Sequence, residues 1–261
     1  MKFSIFKFSA LALLCGALAV QSCTKTQTSK TDTNSDFSNS SLAQVIIATV
    51  NASRNYVYVD GVPVNGAALT SGSIFPASGT GPGFQVSPGV KAFLVRDTLG
   101  TTTQVPLSFA ENLQFGRNYT VFMYDTISAP KQKTVQTDIV IPSDTTARLR
   151  FGNFTYTPTA IPAVDIFSKK RNANVFTNVQ ISDVTGFIPY ASGLTDTFYI
   201  RPTGTTTNLQ NFNPTSSTWS DMFVTLNPQA KRSYTLVFRG SFRAMLTNNA
   251  SVRTLSVYNN Y

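Results

Sequence analysis

Tyr56-Val57-Tyr58-Val59-Asp60-Gly61-Val62-Pro63-Val64 is the stretch that decides the fold class. β-Branched and aromatic residues flank Asp60-Gly61, a dipeptide suited to a two-residue turn with positive φ at both positions, so the stretch predicts a tight β-hairpin. Pro63 cannot donate to a ladder, which makes the return strand short or an edge. Working outward, apolar spacing typical of strands begins at Ala43, and further strands are predicted over 91–96, 118–124 and 134–141. Beyond residue 22 no long stretch sustains apolar side chains at helical spacing, and the expected class is all-β.

The pattern recurs downstream. Ile47-Ala-Thr-Val-Asn51 and Arg148-Leu-Arg-Phe-Gly-Asn153 each lead toward an alternating strand, and Gly89-Val-Lys-Ala-Phe-Leu-Val-Arg96 has a counterpart in Gly193-Leu-Thr-Asp-Thr-Phe-Tyr-Ile-Arg201. Asn118-Tyr-Thr-Val-Phe122 matches Ser233-Tyr-Thr-Leu-Val-Phe238. The offsets grow from 102 through 104–105 to 115 residues, so the second copy is the longer. This predicts two tandem β-sandwich domains, 43–141 and 142–261, with a boundary near 142–146. Tyr119 and Tyr234 fall where such sandwiches place a corner tyrosine that hydrogen-bonds back to its own chain.

Val50-Asn51-Ala52-Ser53, Val57-Tyr58-Val59-Asp60-Gly61 and Gly116-Arg-Asn-Tyr-Thr-Val121 resemble the exported domain of unknown function 4397, over 46–124 and again over 147–239. The resemblance implies an immunoglobulin-like β-sandwich in each half and a bacterial envelope setting, and it brings no catalytic residues. The first copy lacks the family's proline-containing insert after Ser53, while the second keeps a similar one at Ile161-Pro162-Ala163-Val164-Asp165 but lacks the Asp-Gly turn.

At the start of the chain, Lys2 and Lys7 precede an apolar run over 8–20 that is too short to span a bilayer, and Val20-Gln21-Ser22-Cys23 closes it. This resembles a bacterial lipoprotein signal, in which residues 1–22 are removed and Cys23 is lipidated. Residues 23–42, almost all Thr, Ser, Asn, Lys, Gln and Asp, are then expected to be a disordered tether. The implied partner is a membrane, held through the lipid anchor, and the implied location is the outer membrane, with the periplasmic side favoured over the cell surface. Cys15 leaves with the signal, so the remainder has neither a free thiol nor a disulfide.

Composition narrows the function classes. With Lys2 and Lys7 removed, 19 basic side chains stand against 12 acidic, a balance of +7. That suits an anionic glycan or another envelope protein, and export argues against nucleic acid. There is no histidine, and Glu111 is the only glutamate, which removes the usual nucleophile triads, zinc sets and glutamate pairs. No cofactor, metal or catalytic residue is expected. The chain reads as a non-catalytic envelope lipoprotein, a binding or scaffolding module; the alternative is a fimbrial or adhesin subunit that assembles by strand complementation.

Few residues stand out as candidate contacts. Trp219 is the only tryptophan; a place in a sandwich core is expected for it, with a stacking platform for sugar rings as the alternative. Lys169-Lys170-Arg171 directly follows a strand and reads as a solvated hairpin loop, with contact to anionic glycan or lipid as the alternative. Gly79-Thr-Gly-Pro-Gly83 lacks the Lys-Ser/Thr of a phosphate loop and reads as a plain loop. Asp97-Thr98, Asp125-Thr126 and Asp144-Thr145 read as turns, with O-glycosylation as the alternative.

Overall fold

A computed structural model of the chain describes residues 40–139 and 141–261. The predicted signal sequence, Cys23 and all of the predicted tether up to residue 39 lie outside the described residues. The described residues are strands joined by turns and loops, and no helix occurs among them. The first half holds β1 (Ser41–Ile47), β2 (Tyr56–Val59), β3 (Val62–Pro63), β4 (Ile74–Phe75), β5 (Phe84–Val86), β6 (Gly89–Arg96), β7 (Leu107–Leu113), β8 (Asn118–Thr126) and β9 (Ala129–Gln136). The second holds β10 (Ala147–Tyr156), β11 (Val164–Ser168), β12 (Ala173–Val179), β13 (Ile188–Tyr190), β14 (Asp196–Pro202), β15 (Gln210–Asn213), β16 (Thr218–Asp221), β17 (Phe223–Leu226), β18 (Ser233–Ser241) and β19 (Thr254–Asn259).

The predicted hairpin is β2–β3. Val59 pairs with Val62 across Asp60 and Gly61, whose φ angles are 49° and 80°. Both central residues are left-handed, as the turn requires. The Asp60 carboxylate accepts the Ala92 amide at 3.0 Å and Lys91 Nζ at 2.9 Å, tying the turn to β6. Pro63 sits on the edge strand of the sheet β3-β2-β6-β7. Strands β6 and β8 extend the predicted 91–96 and 118–124 by two residues each, and two further boundaries differ more. The strand predicted over 134–141 runs instead from Ala129 to Gln136, because a two-residue turn lets it pair with β8 along its whole length. The predicted tether gives up Ser41 and Leu42 to β1, where pairing with β5 and β8 supplies their backbone partners.

Each half has two sheets around its own core. In the first, the sheet β4-β1-β8-β9, with β5 also on β1, covers β3-β2-β6-β7, and Val45, Ile47, Val57, Val95, Val121 and Met123 fill the space between. In the second, β13-β10-β18-β19 covers β12-β11-β14-β17 over Leu149, Phe151, Ile166, Phe198, Leu236 and Phe238. In both, the opening long strand runs parallel to the penultimate one, β1 to β8 and β10 to β18, an internal likeness of topology. The corner tyrosines are equivalent too: the Gln114 amide donates to the Tyr119 hydroxyl at 2.8 Å and the Gln229 amide to the Tyr234 hydroxyl at 3.1 Å. Register corrects one offset. Ala43 pairs with Tyr119 and Leu149 with Tyr234, so β10 follows β1 by 106 residues, and Asn153 is not the counterpart of Asn51.

An isolated antiparallel sandwich commonly wets its outer faces. Here β1 and nearly all of β10 are buried on both faces, because the two long sheets pack against each other and the described residues form one compact unit. Alternation sends one set of side chains inward and the other into this seam. Ile46, Ala48, Phe122, Phe154, Val237 and Tyr258 make a further apolar cluster there, in which Phe122 stacks on Phe154 with ring centroids 4.3 Å apart. Polar contacts also cross the seam: Tyr258 donates to the Gly72 carbonyl at 2.9 Å, and Asn260 Nδ2 to Gln44 Oε1 at 2.9 Å.

Candidate functional site

The two halves differ most in two connections. Residues 97–106 join β6 to β7, whereas 203–222 join the equivalent β14 to β17; the extra ten residues account for the jump to an offset of 115 and contain the hairpin β15–β16. Likewise 127–128 join β8 to β9, whereas 242–253 join β18 to β19. Neither insertion is needed to close the sandwich, since the first half closes without them. Such loops on a rigid scaffold are where binding residues concentrate.

The two insertions meet. Phe212 in β15 donates its amide to the Met245 carbonyl at 2.8 Å, and the Thr247 amide returns to the Phe212 carbonyl at 3.0 Å. Beneath them Arg253 is nearly buried: Nη1 donates to the Phe242 carbonyl at 3.0 Å, Nε to Asn211 Oδ1 at 3.1 Å, and Nη2 to the Gln210 carbonyl. Burial pushes the guanidinium pKa down. One cation thereby satisfies acceptors from both insertions and holds them in a single geometry. The hairpin has its own supports. Asn213 Oδ1 caps the turn by accepting the Thr215 amide at 2.9 Å, and the Asp221 carboxylate accepts Asn208 Nδ2 at 2.6 Å and Gln210 Nε2 at 2.8 Å.

This frame carries an exposed aromatic face. Phe212 and Trp219 are cross-strand partners with ring centroids 5.2 Å apart, tilted by 52°. Trp219 is 54% exposed, against its expected place in a core, because its hairpin lies outside both sandwiches. With Arg243, Met245, Leu246 and Asn249 the two rings line a cleft of about 560 Å³. Met245 and Leu246 are exposed as well. A cleft with apolar walls and a few polar groups at the rim is the usual form of a small-ligand site.

Lys169, Lys170 and Arg171 form the β11–β12 turn and do not line this cleft. Arg171 lies over the Tyr190 ring at 4.1 Å and donates to the Pro189 carbonyl at 3.3 Å, while the Lys170 amide donates to Asp196 Oδ1 at 2.9 Å. The turn is solvated at its tip and anchored at its base. Asp196 is buried there. Burial works to raise its pKa, but hydrogen bonds from Ser168, Tyr190 and the Lys170 and Thr197 amides outweigh it and hold the carboxyl below its ordinary value. Burial and the bond to Asp196 push the Tyr190 hydroxyl up to about 12. Asp165, also buried, is filled by Asn174, the Asn178 amide and Thr203. Among the described residues no three acidic or cysteine side chains cluster as a metal set.

The glycine-rich loop at 79–83 opens no helix, and Asp97, Asp125 and Asp144 each accept an amide one or two residues onward, the geometry of ordinary turns. Sequence reasoning found Trp219 but missed Phe212, Met245 and Leu246. The available signal was the longer second copy, since the extra residues are the site. No protein-family model matches the chain, and no curated protein matches it.

Proposed function

We propose that the chain is a non-catalytic envelope lipoprotein, anchored through Cys23, whose two immunoglobulin-like sandwiches present the Trp219 cleft as a glycan-binding surface. The observation that carries this reading is the convergence of the two insertions on one exposed aromatic face, pinned from below by Arg253. A flat indole with an adjacent ring suits the apolar face of a sugar, and Arg243 at the rim favours an acidic one. The resemblance to the exported domain of unknown function 4397 supports the fold and the compartment. Assembly by strand complementation has less support: edge strand β9 carries Lys131, Lys133 and Pro130, β12 is bulged, and β3 is two residues long.

Trp219, the sole tryptophan, is its own reporter. Titration with a hexameric uronic-acid oligosaccharide should shift its emission to the blue and saturate, and an uncharged glucan hexamer should bind more weakly. Calorimetry with Trp219→Ala should lose the heat of binding. Absence of binding by either hexamer at millimolar concentration would remove the glycan reading. Anchoring is checked separately by fatty-acid labelling of cells, which Cys23→Ala should abolish.

A further inference from the structure

The seam between the halves holds a second buried arginine whose position has no structural explanation in packing alone. On β10 the seam-facing positions are Arg148, Arg150, Gly152 and Phe154. Phe154 closes one end of the seam with an aromatic stack, while Arg150, only 3% exposed, takes a site an apolar residue could fill. The ion pairs among the described residues are Arg54–Asp97, Lys91–Asp60 and Lys131–Asp125, so Arg150 has no carboxylate partner there. Its contacts are hydroxyls: Nε donates to Thr235 Oγ1 at 2.8 Å, and Nη2 to Thr120 Oγ1 at 3.0 Å and Thr137 Oγ1 at 3.2 Å. Nη1 has no hydrogen-bond partner among the described residues.

A buried charge is costly unless paired, and hydroxyl dipoles offset only part of that cost. Burial lowers the Arg150 pKa to about 9, which still leaves the group charged at neutral pH. The guanidinium lies over the Phe187 ring at 4.6 Å and contributes to the wall of a cleft of about 500 Å³. Arg148 lines the same cleft, two residues away on the same face of the strand. Asp138 lines it too, its carboxylate accepting Gln136 Nε2 at 2.8 Å, so two cations face one anion. The geometry thus provides a fixed, largely desolvated donor, a second donor nearer solvent, and an aromatic wall.

We propose that this seam cleft is an oxyanion site, taking a carboxylate, sulfate or phosphate group between Arg150 and Arg148 with Phe187 as its apolar wall. A bound oxyanion supplies the counter-charge that Arg150 lacks, and because Thr120 and Thr137 come from the first half and Thr235 from the second, it tightens the seam. This site stands apart from the Trp219 cleft and does not depend on it: the two share no lining residue.

Thermal unfolding of the full chain in sodium phosphate, sulfate or succinate, each against sodium chloride at matched ionic strength, tests it. Binding raises Tm with the logarithm of anion concentration once that concentration exceeds Kd, on the order of 5–10 °C at one hundred times Kd. Excluded-salt stabilisation is instead linear in concentration, with no steep rise at low concentration. Arg150→Met, which keeps much of the volume, should lose the logarithmic part and keep the linear part. Should that variant fail to fold, Arg148→Ala must weaken the apparent Kd, and the Arg150 Nε–H resonance of the unaltered chain must shift saturably with the anion. Response to phosphate and sulfate but not succinate assigns a tetrahedral anion, and response to all three a general oxyanion site. Parallel linear curves for all salts, or an unchanged logarithmic response in Arg150→Met, would overturn the proposal.

Discussion

Phe154→Ala tests the packing of the two halves against each other. Phe154 is fully buried, 4.3 Å from the Phe122 ring and 5.3 Å from Tyr124 by centroids. Removing about 150 Å² of buried ring at about 25 cal/mol/Å² costs about 4 kcal/mol. Phe-to-Ala changes in close-packed cores fall at about 3–5 kcal/mol, and loss of two aromatic contacts places this one in the upper part of that range. The assay is equilibrium urea unfolding read by two probes: Trp219 emission, which follows the second half alone, and far-ultraviolet circular dichroism, which follows both. In the unaltered chain the two transitions should coincide, because the seam couples the cores. In Phe154→Ala both should move to lower urea, and the probes should separate as each half begins to unfold on its own. A loss below about 1 kcal/mol with the probes still superimposed would refute the claim that the seam is a packed core.

Tyr119→Phe and Tyr234→Phe each strand a backbone amide, and each should cost about 1–2 kcal/mol in urea unfolding; the losses should add, since the two corners lie in different cores. Arg253→Met leaves acceptors at Asn211, Gln210 and Phe242 without their donor, so it should cost about 1–3 kcal/mol and make Trp219 more accessible to acrylamide quenching. Asp196 has a depressed folded pKa, so the stability it contributes is complete above its unfolded value of about 3.9 and is lost as pH falls through the folded value; Asp196→Asn should flatten the acid limb of a stability–pH curve. Tyr190 is raised to about 12, so folded protein holds its proton longer than unfolded protein, and stability should fall as pH rises from about 10 toward about 12, a loss that Tyr190→Phe should reduce.

Much of the fold is legible locally. Asp60-Gly61 sets a turn because its neighbours alternate and glycine tolerates φ of 80°, and neither fact needs the rest of the chain. Pro63 marks an edge for want of an amide, and Tyr119 and Tyr234 mark their corners because the partner amide lies only five residues back. The internal repeat is visible for a related reason: equivalent strands must alternate in the same way to cover equivalent cores. The seam is different. Apart from Gln44, Leu42 to Ala48 is apolar on both faces, which suits burial on both sides, but alternation does not say what covers the second face. That face is met by Phe122, Phe154, Val237 and Tyr258, drawn from strands far apart in the chain.

The sites divide along the same line. Trp219 could be singled out as the sole tryptophan, yet whether it lies in a core or at a surface depends on a hairpin that belongs to neither sandwich and on an arginine thirty-four residues later. Arg150 reads in the sequence as one more polar residue in an alternating strand. Its desolvation arises only when Thr120, Thr137 and Thr235 close around it. Strand type, turns and edges followed from the sequence because backbone sterics and periodicity act over a few residues. The pairing of the two sheets, the exposure of Trp219 and the burial of a lone charge belong to the tertiary structure, because burial is a property of what arrives from elsewhere in the chain.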